Sequence, residues 1–384
     1  MDSLPAPPVV VRSQADSEPL RALLARHGSP LLVLDPDIIR QRYQALTAAL
    51  PGVKLYFAIK ANPHPSVLST LAALGSGFDI ATSGEIDLLK AERVSPERCI
   101  HTHPIKRDQD IRDALRFGCT TFVVDNLSEI AKFSPYRKRV GLLLRVSFPN
   151  PDSPVDLSRK FGCTPEQVVA LAEQADALGL HVKGLSFHAG SQCLSPENHQ
   201  LAIARCAELM LDYNRRHERP FSILDIGGGF PVPYGVDTPT ITDFCQPLRA
   251  ALAALPPHFT VLAEPGRFLV AEAGTAITTV IGTAERPGGP WYYLDDGVYD
   301  LFSGRIYDHA TYPLEVFSDD AKRLPSTLAG PTCDSIDVVA EQVALPPLEI
   351  GDIVVGRVMG AYTNASATDF NLFPRARVVV TESA

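Results

Sequence analysis

The feature that most constrains the fold of this chain is a regular alternation of short apolar segments and longer helical segments between about residues 30 and 265. The apolar segments are rich in β-branched and aromatic residues, as strands are, and apolar residues recur at helical spacing between them. Eight such repeats in roughly 235 residues favour a TIM (β/α)8 barrel, although periodicity alone leaves an open doubly wound sheet possible. The predicted strands are KLYFAIK, GFDIAT, CIHTHP, TTFVVD, VGLLLRV, GLSFHAG, SILDIGGGF and TVLAEPG.

The pattern changes after residue 268, where segments such as TAITTVIGTAE, PWYYLDDGVY and GDIVVGRVMGAY predict strands joined by turns. A chain of 384 residues is also longer than one ordinary hydrophobic core requires. We therefore predict an α/β fold in which a barrel over residues 29–267 is followed by a mainly β domain over residues 268–384. The proline-rich residues 1–28 either extend freely or join the β domain.

The composition predicts a folded protein of the cytoplasm. No apolar run approaches the roughly 18 residues that a membrane span needs, and the N-terminus lacks the pattern of a secretory signal. The net charge of −9 argues against a nucleic-acid partner and suits a small cationic substrate. The seven cysteines are scattered without a C-x-x-C pair, so we expect neither disulfides nor a metal site.

Ionisable residues stand at the ends of several predicted strands. Lys60 ends the first one, in YFAIKANPHP, where a lysine must either reach solvent or have a partner that compensates for its burial. The C-terminal ends of barrel strands face the active site, so further polar residues there favour a functional role. These further residues are Asp79, Arg145, His188 and Glu264.

Two glycine-containing loops follow the last two predicted barrel strands. The run Gly227–Gly229 can form a tight turn, or its backbone N–H groups can surround an anion because no Cβ blocks the approach. Gly266 and Arg267 follow the next strand, and barrels often bind phosphate at these two loops. The chain has no G-x-G-x-x-G motif here, so a dinucleotide site is not predicted.

A lysine, a phosphate-binding loop, a carboxylate and a histidine together are typical of a pyridoxal 5′-phosphate (PLP) site. The lysine binds the cofactor covalently, and the carboxylate keeps the pyridine nitrogen protonated so that the ring withdraws electrons. A histidine can lie flat against the ring. We therefore expect PLP, and we expect Lys60 to be buried because the cofactor modifies its amine.

The motifs of the chain, taken in order, resemble those of the fold-type III PLP-dependent decarboxylases, which act on ornithine, lysine, diaminopimelate or arginine. The resemblance covers nearly the whole chain and implies a TIM barrel with a β domain. The motifs are YFAIKAN, FDIAT, SRKFGC, SFHAGSQ, DIGGGFP, EPGRFLV, DDGVYDLFSGRIYDH, GPTCDSID and MGAYTNASATDFNLF.

The resemblance implies a role for each matching residue. Lys60 is then the covalent anchor of PLP, Glu264 the partner of the pyridine nitrogen and His188 the residue stacked on the ring. Asp79 and Arg145 are expected beside the lysine and the ring. The phosphate is expected to be held by Ser191, Gly227, Gly228, Gly229, Gly266, Arg267 and Tyr362.

Cys333 in GPTCDSID matches the family cysteine that protonates the substrate carbon after CO2 leaves. A cysteine is more often a small buried apolar residue, but the neighbouring Gly330, Pro331 and Asp334 favour a site. In the family, Cys333 and Asp334 would enter the active site of the partner subunit. The resemblance therefore implies a homodimer with shared active sites.

The expected substrate is L-ornithine or L-lysine, giving putrescine or cadaverine. Asp308 in YDHA and Asp334 offer carboxylates to the distal ammonium, and the resemblance adds Tyr307 and Phe370 to the substrate site. The two substrates differ by one methylene, worth only about 1–3 kcal/mol, so the sequence does not separate them.

Several alternatives stay open from the sequence. A diaminopimelate enzyme needs an arginine in the loop aligned with Ser303, and Arg305 lies two residues away. Leu372 replaces the glycine of the usual FNGF motif, which leaves an atypical substrate possible. A racemase of the same fold would need a base opposite Lys60 in place of GPTCDSID. An inactive regulator would be expected to lack site residues, and none is missing here.

Overall fold

The computed structural model describes residues 6–150 and 157–382. The described residues divide into two compact units. The barrel unit contains Arg40–Pro231 and Thr238–Leu269, and the β unit contains the residues up to Ile39, Val232–Asp237 and those from Val270 onward. The first five residues of the predicted segment 1–28 lie outside the described ranges.

Within these ranges the chain forms 17 strands and 11 α-helices. The strands are β1 (Val9–Arg12), β2 (Leu31–Leu34), β3 (Lys54–Ala58), β4 (Gly77–Ile80), β5 (Cys99–His101), β6 (Thr121–Val124), β7 (Gly141–Val146), β8 (Val182–Phe187), β9 (Ile223–Asp225), β10 (Thr260–Ala263), β11 (Gly274–Arg286), β12 (Gly289–Leu294), β13 (Leu314–Phe317), β14 (Leu324–Ala329), β15 (Val338–Leu345), β16 (Ile353–Gly356) and β17 (Arg377–Val380). The helices are α1 (Glu18–His27), α2 (Pro36–Ala49), α3 (Pro65–Ala73), α4 (Ser83–Ala91), α5 (Asp108–Phe117), α6 (Leu127–Ala131), α7 (Val168–Ala177), α8 (Glu197–Arg216), α9 (Ile241–Leu252), α10 (Arg267–Val270) and α11 (Gly304–Tyr307).

Strands β3 to β10 close into a barrel of eight parallel strands, and β10 pairs with β3 to complete it. These are the eight strands predicted from the sequence, so the TIM barrel is confirmed and the open sheet is excluded. Large side chains such as Phe57, Phe78 and Phe122 are fully buried on these strands. Parallel strands covered on both faces need such apolar runs.

The helices of the barrel unit begin at ordinary capping residues. Thr82 accepts a hydrogen bond from the backbone N–H of Glu85 at the start of α4, and Asn126 accepts one from Glu129 at the start of α6. Such caps satisfy backbone donors that the first helical turn leaves unpaired. They place the helix starts, and the loops before them, at the C-terminal ends of the strands.

The β unit contains a nine-stranded mixed sheet. Its main path runs β1–β13–β16–β11–β12–β14–β15, and β2 pairs with both β11 and β17. One buried cluster of this unit brings together Leu31 of β2, Ile277, Phe317, Ile353 and Val355. Strand β1 and strand β2 are therefore part of this sheet, although β2 falls within the range that the sequence assigned to the barrel.

None of the described helices is both long and apolar enough to cross a bilayer. No group of three or more His, Cys, Asp or Glu residues in the described ranges is arranged to hold a metal ion.

Candidate active site

A cavity of about 580 Å³ lies in the barrel unit where the strands end. Six strands contribute to it at or just after their C-terminal residues, which is where TIM-barrel enzymes place their chemistry. The lining residues are Lys60, Asp79, Ala81, Glu85, Thr102, His103, Pro104, Arg145, Leu157, Phe161, His188 and Glu264.

Lys60 lies in a 3₁₀ turn, Ile59–Ala61, that follows β3. Its two neighbours in the turn are fully buried, whereas Lys60 itself is exposed along the cavity. The expectation that Lys60 is buried is therefore wrong, because the turn directs its side chain away from the two buried neighbours. The cavity does supply partners of opposite charge, since the ammonium acts on the carboxyl groups of both Asp79 and Glu264.

Glu264 is a buried carboxyl group at the end of β10. Burial raises its pKa well above the usual range, the nearby Asp225 raises it further, and Lys60 and Arg145 oppose the rise. Its Oε1 atom has no hydrogen-bond partner among the described residues. A buried acceptor without a donor is costly, so this oxygen is suited to receive a hydrogen bond from a bound group.

Asp79 and Glu85 stand near Lys60. Asp79 accepts a short hydrogen bond from the Thr102 hydroxyl, and burial followed by the charge of Glu264 raises its pKa well above the usual range. Glu85 accepts a hydrogen bond from the Ala81 backbone, and burial raises its pKa too. Burial therefore favours the protonated form of both carboxyl groups, close to an amine.

His188 follows β8 and is a neutral ring in this site. Burial lowers its pKa well below the usual value, and the charges of Arg145 and Lys60 lower it further. The Gly190 N–H donates to Nδ1 at 3.2 Å, so the hydrogen of the neutral ring is on Nε2. A neutral ring can pack against a flat ligand. Arg145 also faces a ring, since its guanidinium lies 5.5 Å from the centre of Phe161.

The loop Gly227–Gly229 needs glycine at each position. Gly227 and Gly229 have φ of +66° and +95°, and a Cβ on Gly228 would lie 2.6 Å from the Glu264 carbonyl oxygen. The Gly227 carbonyl accepts from Glu264 N–H at 2.7 Å. In a trans peptide the N–H of the next residue points opposite to the carbonyl group. The N–H of Gly228 therefore points away from the Glu264 N–H that the Gly227 carbonyl accepts from.

The structure brings Ser191 and Arg267 together. The Arg267 Nη2 atom donates to the Ser191 hydroxyl at 3.1 Å, and Arg267 is only 7% exposed. Hydroxyl, guanidinium and glycine backbone donors are a set that suits a phosphate group. With Lys60, the unpartnered oxygen of Glu264 and a neutral His188, the residues of the barrel unit fit PLP.

Other predicted site residues lie in the β unit. Cys333 is exposed, whereas the six other cysteines are buried, and its backbone N and Sγ each lie 3.1 Å from Asn371 Oδ1. Asp334 accepts a hydrogen bond from the Tyr299 hydroxyl. The Tyr299 ring stacks on Phe370, with ring centres 4.3 Å apart. Cys333, Asp334 and Phe370 therefore form one surface cluster.

The remaining β-unit residues are more scattered. Tyr307 is 58% exposed and Asp308 is half-buried at the end of α11. Tyr362 is half-buried with a φ of +55°, and its carbonyl accepts a hydrogen bond from Ser366. Leu372 is 85% exposed with a φ of +58°. This residue therefore stands in a backbone conformation that favours glycine.

The side chain of Arg305 points into the β unit. It lies beside Phe302, Tyr312 and Leu314, and its Nε and Nη1 atoms are buried without a hydrogen-bond partner among the described residues. Burial lowers its pKa. A guanidinium placed this way is poorly available to a second substrate carboxylate, which argues against the diaminopimelate alternative.

Sequence reasoning missed seven cavity residues. Thr102 and His103 follow β5 and could have been found by the same rule that identified Lys60, since CIHTHP was a predicted strand. Phe161 lay in a quoted motif but outside any predicted element, so no local signal placed it in the cavity. The missed residues are Ala81, Glu85, Thr102, His103, Pro104, Leu157 and Phe161.

A closed barrel with this set of residues at its C-terminal end defines a PLP-binding barrel enzyme. The family model described as "Pyridoxal-dependent decarboxylase, pyridoxal binding domain" matches residues 37–271. The chain belongs to this family of PLP-dependent decarboxylases, so the resemblance seen in the sequence is confirmed.

Similar proteins extend this comparison over nearly the whole chain. The lysine/ornithine decarboxylase of Selenomonas ruminantium is 38% identical over 367 residues, which cover 94% of this chain and 92% of the relative. The crystal structure of a lysine/ornithine decarboxylase from Vibrio vulnificus, complexed with cadaverine, is 50% identical, with a TM-score of 0.92 and coverage of 97% and 100%. The arginine decarboxylase of Paramecium bursaria Chlorella virus, bound to agmatine, is 31% identical, with a TM-score of 0.88 and coverage of 95% and 100%.

Proposed function

We propose that this protein decarboxylates L-ornithine or L-lysine and releases putrescine or cadaverine. The observation that carries the proposal is the barrel cavity, in which Lys60 stands among the carboxyl groups of Asp79, Glu85 and Glu264. The comparisons support these substrates, because a Vibrio vulnificus lysine/ornithine decarboxylase with 50% identity has been solved with cadaverine and with putrescine.

The barrel unit supplies a residue for each part of the cofactor. PLP, when bound, supplies an electron-withdrawing ring that accepts the electron pair left behind when the α-carboxylate departs as CO2. Lys60 would anchor it covalently, Glu264 would accept a hydrogen bond from the ring nitrogen, and neutral His188 would pack against the ring. The Gly227–Gly229 loop, Ser191, Gly266 and Arg267 would hold the phosphate. Tyr362, which the resemblance also implies for the phosphate, lies in the β unit.

The carboxyl groups beside Lys60 would give protons to its amine and accept them from it. An amine that binds and releases a carbonyl carbon in every turnover must repeatedly gain and lose a proton. Asp79 and Glu85 have raised pKa values, with burial as the largest cause, so burial favours their protonated forms, which would exchange a proton with Lys60 Nζ. Arg145 would contribute positive charge to the same cavity.

The cluster around Cys333 would complete the site of a second copy of the chain. Its apolar neighbours are strongly exposed: Leu372 by 85%, Phe373 by 41% and Phe370 by 39%. A folded protein usually covers such a patch. We propose a homodimer in which Cys333 donates the proton to the substrate α-carbon, while Asp334 and Asp308 bind the distal ammonium and Tyr307 and Phe370 line the substrate.

The test of the activity is CO2 release by the PLP-loaded protein with L-ornithine, L-lysine, L-arginine and meso-diaminopimelate in parallel. Release from ornithine or lysine is expected, and Lys60→Ala should abolish it. Release from diaminopimelate alone would overturn the substrate proposal. A yellow protein that releases no CO2 but interconverts enantiomers would identify a racemase instead.

A mixing experiment tests the shared active sites. Lys60→Ala and Cys333→Ala should each be nearly inactive, but a mixed dimer contains one site in which both residues are native. Exchange of subunits should then restore about a quarter of wild-type activity. A mixture that stays as inactive as its two components would contradict the shared-site homodimer.

A further inference from the structure

His103 lines the barrel cavity, and no step proposed above uses it. The residue is half-buried just after β5. Its ring meets the Phe161 ring edge-on, with the ring centres 5.5 Å apart and the planes at 70°. The side chain therefore has a defined orientation at the cavity wall.

The hydrogen-bond pattern of His103 identifies which nitrogen carries the proton. The backbone N–H of Ile105 donates to Nδ1 at 3.2 Å. A nitrogen that accepts from a backbone N–H carries no hydrogen, so the hydrogen of the neutral ring is on Nε2. Burial lowers the His103 pKa, and neighbouring lysines lower it further, which keeps the ring neutral. His103 thus offers a single N–H donor.

The backbone around His103 is held by a buried lysine. Lys106 Nζ donates to the carbonyl oxygens of His103, Pro104 and Val123 at 2.7, 3.0 and 2.7 Å. The Lys106 side chain is fully buried and also faces Glu129 at 3.4 Å. These bonds limit movement of the loop, so the donor is already positioned before a ligand arrives.

The charges around the cavity indicate what this donor would bind. The groups that lower the His103 pKa by their charge are three lysines: Lys60, Lys106 and Lys160. The charge of Glu264 instead acts on Asp79, and the charge of Asp225 acts on Glu264. The charges that act on His103 are therefore those of cations, and an N–H donor beside cations favours an anionic oxygen over an ammonium group.

We propose that His103 is a substrate-binding residue that donates a hydrogen bond from Nε2 to the α-carboxylate of the amino-acid substrate. This inference rests on the decarboxylase function proposed above. The α-carboxylate is the anionic group that the substrate has and the amine product lacks. The bond would therefore form with the amino acid and disappear once CO2 has left, which separates substrate from product at the same site.

The test compares three variants of the PLP-loaded enzyme. His103→Phe removes the donor and keeps a ring, and His103→Gln keeps a side-chain N–H donor. His64→Phe is the matched control, because His64 Nδ1 also accepts from the backbone N–H two residues on, at 3.2 Å, and His64 is half-buried but does not line the cavity. The measurements are kcat/KM for L-ornithine and L-lysine, inhibition constants for putrescine and cadaverine, and the PLP dissociation constant.

His103→Phe should lower kcat/KM for both amino acids by about 10- to 100-fold, the worth of a hydrogen bond to a charged group. The amine inhibition constants and the PLP dissociation constant should change by less than about twofold, as should all values for His64→Phe. His103→Gln should recover most of the lost kcat/KM.

Three results would overturn the assignment. Equal weakening of amino acids and amines would mean that the contact does not involve the carboxylate. Weaker PLP binding alone would mean that the donor serves the cofactor, and no difference from His64→Phe would mean that His103 binds neither. If the wild-type protein releases no CO2 from any amino acid, the proposed function itself has failed.

Discussion

Replacing Lys106 with methionine should destabilise the barrel unit by about 3–5 kcal/mol, because three buried backbone carbonyl groups would lose a donor. Lys106 is fully buried and satisfies three backbone carbonyl groups. Methionine has nearly the same length and apolar character, so the substitution removes the charge and the donors with little loss of volume.

The loss of stability depends on which buried groups lose their hydrogen-bond partner in Lys106→Met. Glu129 keeps two partners, because Lys132 Nζ lies 2.6 Å from it and the Lys106 backbone N–H donates to it at 2.8 Å. The carboxylate is therefore not stranded, and most of the loss comes from the three carbonyl oxygens. A buried acceptor without a donor costs about 1–3 kcal/mol. Three acceptors at the lower end of this cost together give about 3–5 kcal/mol.

The penalty should also depend on pH. Burial is the largest cause that lowers the Lys106 pKa, from its ordinary 10.5 to about 8, and Glu129 opposes the shift. Between these two values the unfolded chain binds more protons at this residue than the folded protein does. The wild-type protein should therefore gain stability from pH 8 to 10 relative to Lys106→Met.

Urea unfolding followed by circular dichroism measures the effect. Lys132→Met is the control, because Lys132 contacts the same carboxylate but its side chain is 38% exposed, and such pairs contribute about 0–1 kcal/mol. If Lys106→Met is no more destabilising than this control, or if its penalty does not grow above pH 8, the reasoning is refuted.

Three further predictions concern glycines and the exposed cysteine. Gly228→Ala should weaken PLP binding by about 1–3 kcal/mol, because the new Cβ would lie 2.6 Å from the Glu264 carbonyl oxygen. The measurement is a PLP titration with Gly84→Ala as the control. Gly84→Ala should bind PLP normally, because the nearest atom to its new Cβ is 3.8 Å away. Equal PLP affinities of the two variants would contradict the predicted clash. Cys333→Ala should lower kcat by about 10²–10⁴-fold without changing PLP absorbance, and retained turnover would exclude it as the proton donor. Leu372→Gly should lower the thermal midpoint of the dimer, because the loss of apolar area at the proposed interface outweighs about 1 kcal/mol of relieved backbone strain, and a raised midpoint would show that no partner covers Leu372.

Much of the fold could be predicted because short-range sequence patterns indicate its strands and helix starts. Every barrel strand appears in the sequence as a short apolar run, and helix starts such as Thr82 carry a capping residue. The strands β13 and β14 were not predicted. A run such as LEVF is too short to separate from a loop without knowing that β1 and β16 pair with it on either side.

The candidate site was also predicted in part from the sequence. Lys60, Asp79, Arg145, His188 and Glu264 stand at strand ends, and the structure brings all five to one cavity. The roles proposed for them remain to be tested. Exposure to solvent was one of the two outcomes that the sequence allowed for Lys60, and the local pattern does not decide between them.

The sequence by itself determined the eight barrel strands and which polar residues end them, but not the strands β2, β13 and β14. A period of two or of about 3.6 residues specifies which face of an element is apolar. It does not specify which distant element covers that face. Only the tertiary structure decided that β10 pairs with β3 to close the barrel, and that β2 joins the sheet of the β unit. Only the tertiary structure also decided the hydrogen bond between Cys333 and Asn371 and the hydrogen bond from Lys106 to the His103 carbonyl group. Both depend on residues brought together by folding.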